Sequence, residues 1–150
     1  MKKCIIGKNS KLIQNIISEL SEFDLFSHKD ILDINFENYS YVYLFSWSQS
    51  SQEENLNLIE IIPSEKLIFV SSVAVYANAI RTQWNKYPRM KLEIEKLVLS
   101  KGGSIVRLGV CDENLLLRHI GFIPFTSSKS ILEFLNLESP SKITNLFSLR

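Results

Sequence analysis

Tyr87 and Lys91 stand four residues apart in Tyr87-Pro88-Arg89-Met90-Lys91. On a helix that spacing puts both side chains on one face, with Cβ atoms about 5–6 Å apart. A tyrosine of ordinary pKa is a poor acid or base at neutral pH, and an adjacent ammonium favours its phenolate. The same residues also have plain structural readings. Tyr87 suits a helix start before Pro88, whose fixed φ favours the first turn, and Lys91 pairs with Glu95 at i+4 as a solvated charge. Ser72 closes the apolar run Leu67 to Val70, where its hydroxyl is available to a ligand or to a loop amide. Cys4 and Cys111 lie far apart without metal-ligand spacing, so they read as buried thiols in a reducing compartment, and no metal site is expected.

The elements that must position these groups alternate in type. Cys4-Ile5-Ile6 is a short buried strand that stops at Gly7; Leu12, Ile13, Ile16, Ile17 and Leu20 then recur with helical spacing, with Asn9 or Ser10 as N-cap. Phe23 to Phe26 reads as a short strand, His28-Lys29-Asp30 as a turn, and Tyr41 to Phe45 as a strand with a serine-rich exit. Glu54 to Ile62 predicts a helix, and Leu67 to Val70 an apolar strand. Pro88 to Leu99 predicts a helix with Met90, Ile94, Leu97 and Val98 on its apolar side, stopped by Gly102-Gly103 before the strand at Ser104-Ile105-Val106. A helix over Ser130 to Leu137 and a strand over Ile143 to Phe147 follow. Strands alternating with helices predict an α/β fold: a Rossmann-like, doubly wound, mostly parallel sheet with helices on both faces.

At 150 residues the chain has the size of one domain, residues 1–150, and at 45% hydrophobic and 22% charged residues it reads as globular. Seventeen Lys and Arg against sixteen Asp and Glu give no electrostatic basis for binding nucleic acid or an anionic membrane. The apolar run after Met1-Lys2-Lys3 is shorter than the roughly 7–15 residues of an export signal, and no stretch approaches the ~18 of a membrane span. A cytoplasmic, soluble protein is the expectation.

Three segments read together carry a resemblance: Ser71-Ser72-Val73-Ala74-Val75-Tyr76, Tyr87-Pro88-Arg89-Met90-Lys91 with Glu95 beyond it, and Ile105-Val106-Arg107-Leu108-Gly109. In that order they resemble the extended short-chain dehydrogenase/reductases, which include nucleotide-sugar epimerases, dehydratases and dehydrorhamnose reductases. Gly7-Lys8-Asn9-Ser10-Lys11-Leu12-Ile13 sits where that family carries Gly-x-x-Gly-x-x-Gly, with Ser10 and Ile13 in place of the second and third glycines. Asp30-Ile31-Leu32-Asp33 resembles the family's acidic segment. The chain is about half the family's usual length, and the missing part is mostly the substrate-binding lobe.

The resemblance implies a catalytic set of Ser72, Tyr87 and Lys91. Ser72 would hydrogen-bond a substrate carbonyl or hydroxyl, Lys91 would reach ribose hydroxyls, and a nicotinamide would carry the hydride. It implies cofactor contacts at Gly7, Lys8, Asn9, Ser10, Leu12, Lys29 and Lys91, with NAD or NADP as cofactor. Lys29, after the second strand, leans the choice toward NADP, and it reads equally as a solvated turn lysine. Ile13 either turns inward toward the sheet or fills the pyrophosphate groove. Ser51 falls where the family often has an asparagine. The implied activity is a reductase or epimerase-type reaction on a sugar nucleotide, in the setting of surface polysaccharide biosynthesis. The alternative is a catalytically silent Rossmann module that binds a nucleotide or a partner protein. A second copy of the chain is a further candidate partner, because a trimmed fold often borrows a neighbour's surface.

Overall fold

The computed structural model describes residues 1–79, 86–111 and 124–149. Its strands are β1 (Lys2–Ile6), β2 (Phe23–Phe26), β3 (Tyr39–Leu44), β4 (Leu67–Ser72), β5 (Ser104–Leu108), β6 (Pro124–Phe125), β7 (Ile143–Leu146) and β8 (Ser148–Leu149). The α-helices are α1 (Lys11–Ile16), α2 (Gln52–Ile61), α3 (Lys86–Ser100) and α4 (Ser128–Leu135). Six strands form one sheet in the order β2-β1-β3-β4-β5-β7, and every neighbouring pair is parallel. The expected strands near Cys4, Val42, Phe69 and Val106 are therefore consecutive neighbours. β6 and β8 pair antiparallel beside it.

Strand side chains alternate between the two faces, and here both faces are apolar. Cys4, Ile6, Val42, Leu44, Leu67, Phe69 and Ile105 pack with Ile59 of α2 and Ile94 and Val98 of α3. Ile5, Tyr43, Ile68, Val70, Val106 and Leu108 pack with Ile13 and Ile16 of α1 and Ile131, Phe134 and Leu135 of α4. The unbroken apolar runs of the sequence are what a sheet covered on both sides requires. The result is a Rossmann-like α/β fold.

Sequence and structure differ in how α3 is turned. Its buried face is Pro88, Lys91, Ile94, Glu95 and Val98, and Met90 is only half-buried. Two ionisable side chains can face inward because each finds a partner there. Lys91 Nζ donates to the Val70 carbonyl at 2.9 Å, and Glu95 receives the Arg107 guanidinium from β5 at 2.7 Å. Lys91 is therefore not a solvated helix charge. The helix ends as its glycines predict: Gly103 N–H donates to Val98 O at 2.9 Å and Gly102 adopts φ +91°.

The order of the sheet reverses at β1: β2 lies on one side, β3, β4, β5 and β7 on the other. Open α/β sheets bind ligands outside the carboxyl ends of their strands at such a point.

Candidate functional site

A cavity of about 620 Å³ lies there, walled by residues at or just beyond the C-terminal ends of β1 through β5 and by the start of α3. Gly7, Asn9, Ser10 and Leu12 line it from the β1–α1 turn, and Ser27 and His28 from the end of β2. Phe45, Ser46, Trp47 and Gln49 line it after β3, and Val70, Ser71 and Ser72 from β4. Tyr87 and Lys91 of α3 and Leu108, Gly109 and Cys111 at and beyond β5 complete the wall.

Ser72, Tyr87 and Lys91 thus meet at one cavity. The Ser72 and Tyr87 side chains are hydrogen-bonded to each other, and Ser72 Oγ also accepts from Ala74 N at 3.2 Å. Burial raises the Tyr87 pKa above its ordinary value, and the bond from Ser72 pulls the other way. Burial pushes the Lys91 ammonium down to about 7, with Glu95 opposing. Lys91 Nζ points to the Val70 carbonyl and lies 5.9 Å from the Tyr87 ring centroid. Burial thus opposes the expected pairing of a phenolate with an ammonium, since it shifts both groups toward their neutral forms.

The glycine end is built from backbone. Gly7 adopts φ +120°, and a Cβ there would meet Ser46 N at 2.8 Å and Phe45 C at 3.0 Å, so no side chain fits. Gly7 N and Lys8 N both donate to Phe26 O, at 2.8 and 3.0 Å, and Ser10 N returns to Gly7 O at 2.9 Å. Ser10, rather than Asn9, caps α1: its hydroxyl accepts from Ile13 N at 3.3 Å. Ile13 is fully buried against Ile5, Tyr43 and Ile68 and contributes nothing to the cavity wall. Of the two readings of Ile13, the structure takes the inward one.

Two expected cofactor contacts lie off the wall. Lys8 forms a 3.7 Å ion pair with Asp30. Lys29 is exposed, in the short 3-10 helix His28–Asp33 that a Ser27/Asp30 capping box starts. That helix replaces the expected turn and puts His28 on the wall, with Lys29 next to it in sequence. Ser51 caps α2, accepting from Glu54 N at 3.2 Å.

Reasoning from sequence missed Trp47. Its ring centroid lies 4.0 Å from Lys91 Nζ, and the ring meets Phe69 at 5.9 Å and Tyr87 at 6.1 Å, centroid to centroid. The signal was present as a lone tryptophan in a serine-rich strand exit. Also missed was the chain of contacts tying the three motif segments together. Arg107 holds Glu95 through both Nε and Nη2 and donates from Nη1 to Tyr76 Oη at 2.8 Å, and Tyr76 Oη donates to Asn145 Oδ1 at 3.0 Å. Among the described residues no group of His, Cys, Asp and Glu is arranged for a metal, and no helix is long and apolar enough to cross a membrane.

No protein-family model matches the chain, and neither does any curated protein. Solved structures do. The chain is similar to the capsular polysaccharide assembling protein CapF from Staphylococcus aureus, with TM-score 0.65 and 12% identity over 100% of this chain and 54% of that one. It is similar to a short-chain dehydrogenase/reductase superfamily protein from Agrobacterium tumefaciens with bound NAD, with TM-score 0.67 and 13% identity over 99% and 78%. It is also similar to MoeE5 in complex with UDP-glucose and NAD, with TM-score 0.64 and 15% identity over 100% and 78%. The chain spans about half the length of CapF. At these identities the likeness shows the fold, which is the one the motif segments resemble.

Proposed function

We propose that this chain is a nicotinamide-dinucleotide-dependent reductase or epimerase-type enzyme acting on a sugar nucleotide, with Ser72, Tyr87 and Lys91 as its catalytic set. The observation that carries this reading is the meeting of those three side chains on one cavity at the strand ends, with Ser72 and Tyr87 already hydrogen-bonded. Two of the similar structures hold NAD, and one of these also holds UDP-glucose.

The wall fits a dinucleotide at its glycine end. Ile13 is withdrawn into the core, leaving Gly7, Asn9, Ser10 and Leu12 to hold the diphosphate and Ser27 and His28 to meet a ribose. Either NAD or NADP suits this reading. When bound, the dinucleotide supplies hydride transfer. Ser72 Oγ orients a substrate oxygen, and Tyr87 Oη holds the proton that this oxygen gains or loses. The raised Tyr87 pKa keeps that proton on the phenol at neutral pH, which suits donation to a carbonyl oxygen.

Calorimetric titration with NAD, NADH, NADP and NADPH, followed by turnover assays on UDP- and dTDP-linked sugars, tests the proposal. Binding of at least one dinucleotide, with turnover that Tyr87→Phe lowers about 10²–10⁴-fold at unchanged dinucleotide affinity, is expected. Absence of dinucleotide binding would overturn it. One observation favours a second reading, a binding module without catalysis: Lys91 Nζ is bonded to Val70 and lies under Trp47. Dinucleotide binding without turnover on any sugar nucleotide would select that reading.

A further inference from the structure

We infer that Trp47 sets how tightly this cavity takes a dinucleotide, by lying over Lys91 until the ligand displaces it, an inference that rests on the dinucleotide-binding reading above. Three polar groups at this end of the cavity are underused. Among the described residues Lys91 Nζ has one oxygen partner, Val70 O at 2.9 Å, and it faces the rings of Trp47 at 4.0 Å and Phe69 at 4.7 Å. An ammonium has three hydrogens to give. Among the described residues, the buried Trp47 Nε1 has no hydrogen-bond partner, although buried indoles usually find one. Ser71, 4% exposed and on the same wall, has a buried hydroxyl that is equally unpartnered among the described residues.

The backbone on either side of Trp47 is fastened. Ser46 N donates to Ile6 O at 3.1 Å, Ser48 N donates to Asn55 Oδ1 at 2.8 Å, and Asn55 Nδ2 donates to Ser48 O at 2.9 Å. The motion available is therefore rotation of the indole about its own side-chain bonds, with no loop opening. That rotation frees Nε1 from a position in which it makes no hydrogen bond and uncovers the remaining hydrogens of Lys91. A ligand carrying hydroxyl or carbonyl oxygens gains those donors only after the ring has moved, so its apparent affinity is reduced by the fraction of molecules in which Lys91 is uncovered.

The test uses the full chain. Trp84, the other tryptophan, is replaced in Trp84→Phe so that Trp47 is the sole indole, and this variant is titrated with NAD by emission and by calorimetry. The expected result is a red shift of the indole emission with the same midpoint as the binding heat. Trp47→Ala should bind NAD about tenfold tighter or more. Its Lys91 should also be methylated by formaldehyde and cyanoborohydride about tenfold faster than in the parent, read by peptide mass mapping. Trp47→Phe keeps a packed ring if the alanine variant fails to fold, and is expected to tighten binding by a smaller factor. Binding heat with a still indole, unchanged affinity in both variants and unchanged Lys91 labelling would overturn it while leaving the dinucleotide reading in place. No binding heat in any form would remove the dinucleotide reading and this inference together.

Discussion

At the Gly7 end of the cavity the wall is a glycine turn with Asn9, Ser10, Leu12, Ser27 and His28; at the Lys91 end it is aromatic rings closed over a buried amine. The motifs lead to the opposite expectation. Two of three glycines are replaced at the first end, while Ser72, Tyr87 and Lys91 are all present at the second. A glycine pattern describes space, and space depends on where the substituted side chain goes. Ile13 goes into the core, so the groove stays clear. A catalytic pattern describes groups, and groups depend on what their neighbours leave accessible. Trp47, outside every motif, covers one of the three.

The comparison breaks first at Ile13. If the open groove depended on a small residue there, Ile13→Gly would create or improve dinucleotide binding. Because Ile13 is fully buried among Ile5, Tyr43 and Ile68, the expected outcome is loss of stability with no gain in affinity. Removing the side chain from a packed core and adding a helical glycine costs about 4–5 kcal/mol together. Urea unfolding reads the first quantity and calorimetry the second. A gain in affinity would show that the side chain intrudes on the groove after all.

The covered end depends on Glu95 more than its place in the motif suggests. Its side chain is 1% exposed and meets the Arg107 guanidinium through both carboxylate oxygens. Glu95→Gln leaves the Arg107 charge without its counterion, with Arg107 itself 14% exposed. Breaking such a pair costs about 3 kcal/mol, toward the lower end of the range for buried pairs because Arg107 keeps some solvent. A loss below about 1 kcal/mol in denaturant unfolding would mark the pair as a surface bridge. The same change should lower the Lys91 pKa further, since Glu95 is the charge that raises it.

Lys91 gives the cover a pH signature. Burial takes its pKa from the ordinary 10.5 to about 7 in the folded chain. Between those values the unfolded chain binds more protons, so this group makes stability rise with pH across that window. Below about 7 the penalty for burying the ammonium is present in full. Its contribution between pH 7 and 9 should be about 2 kcal/mol, and Lys91→Met should flatten that slope. An equal slope in both proteins would mean that Lys91 stays charged under the ring of Trp47.

Much of this fold was readable from periodicity alone, because fully apolar runs such as Leu67 to Val70 have one stable place, a sheet covered on both faces. The meeting of Ser72 with Tyr87 was readable because a strand end and the next helix start are brought together by the same crossover. The rotation of α3 was not. Met90 outscores Lys91 in any hydrophobic pattern, and only the Val70 carbonyl and the Arg107 guanidinium, contributed by β4 and β5, make Lys91 and Glu95 the inward residues. His28 came onto the wall for a similarly local reason, a capping box that turned an expected loop into a helical turn. Trp47 needed knowledge of a contact across 44 positions of sequence, which no window along the chain contains.

The smallest expected effect sharpens the comparison at the open end. Ser10 lines the cavity and also caps α1, its hydroxyl accepting from Ile13 N at 3.3 Å. Ser10→Ala removes the cap and should cost about 1 kcal/mol. The Ser10 amide returns to Gly7 O at 2.9 Å whatever the side chain, so the turn itself should persist. If the open end acts through backbone and shape, dinucleotide affinity should change by no more than about two- to threefold, in line with a loss of a few tenths of a kcal/mol. If the hydroxyl is itself a ligand contact, affinity should fall about tenfold, as for the loss of a hydrogen bond to a charged group. Thermal unfolding and NAD titration of the one variant separate these cases. A tenfold loss of affinity at unchanged stability would show that Ser10 faces the ligand more than it holds the helix, and that the Gly7 end relies on side chains as much as the Lys91 end does.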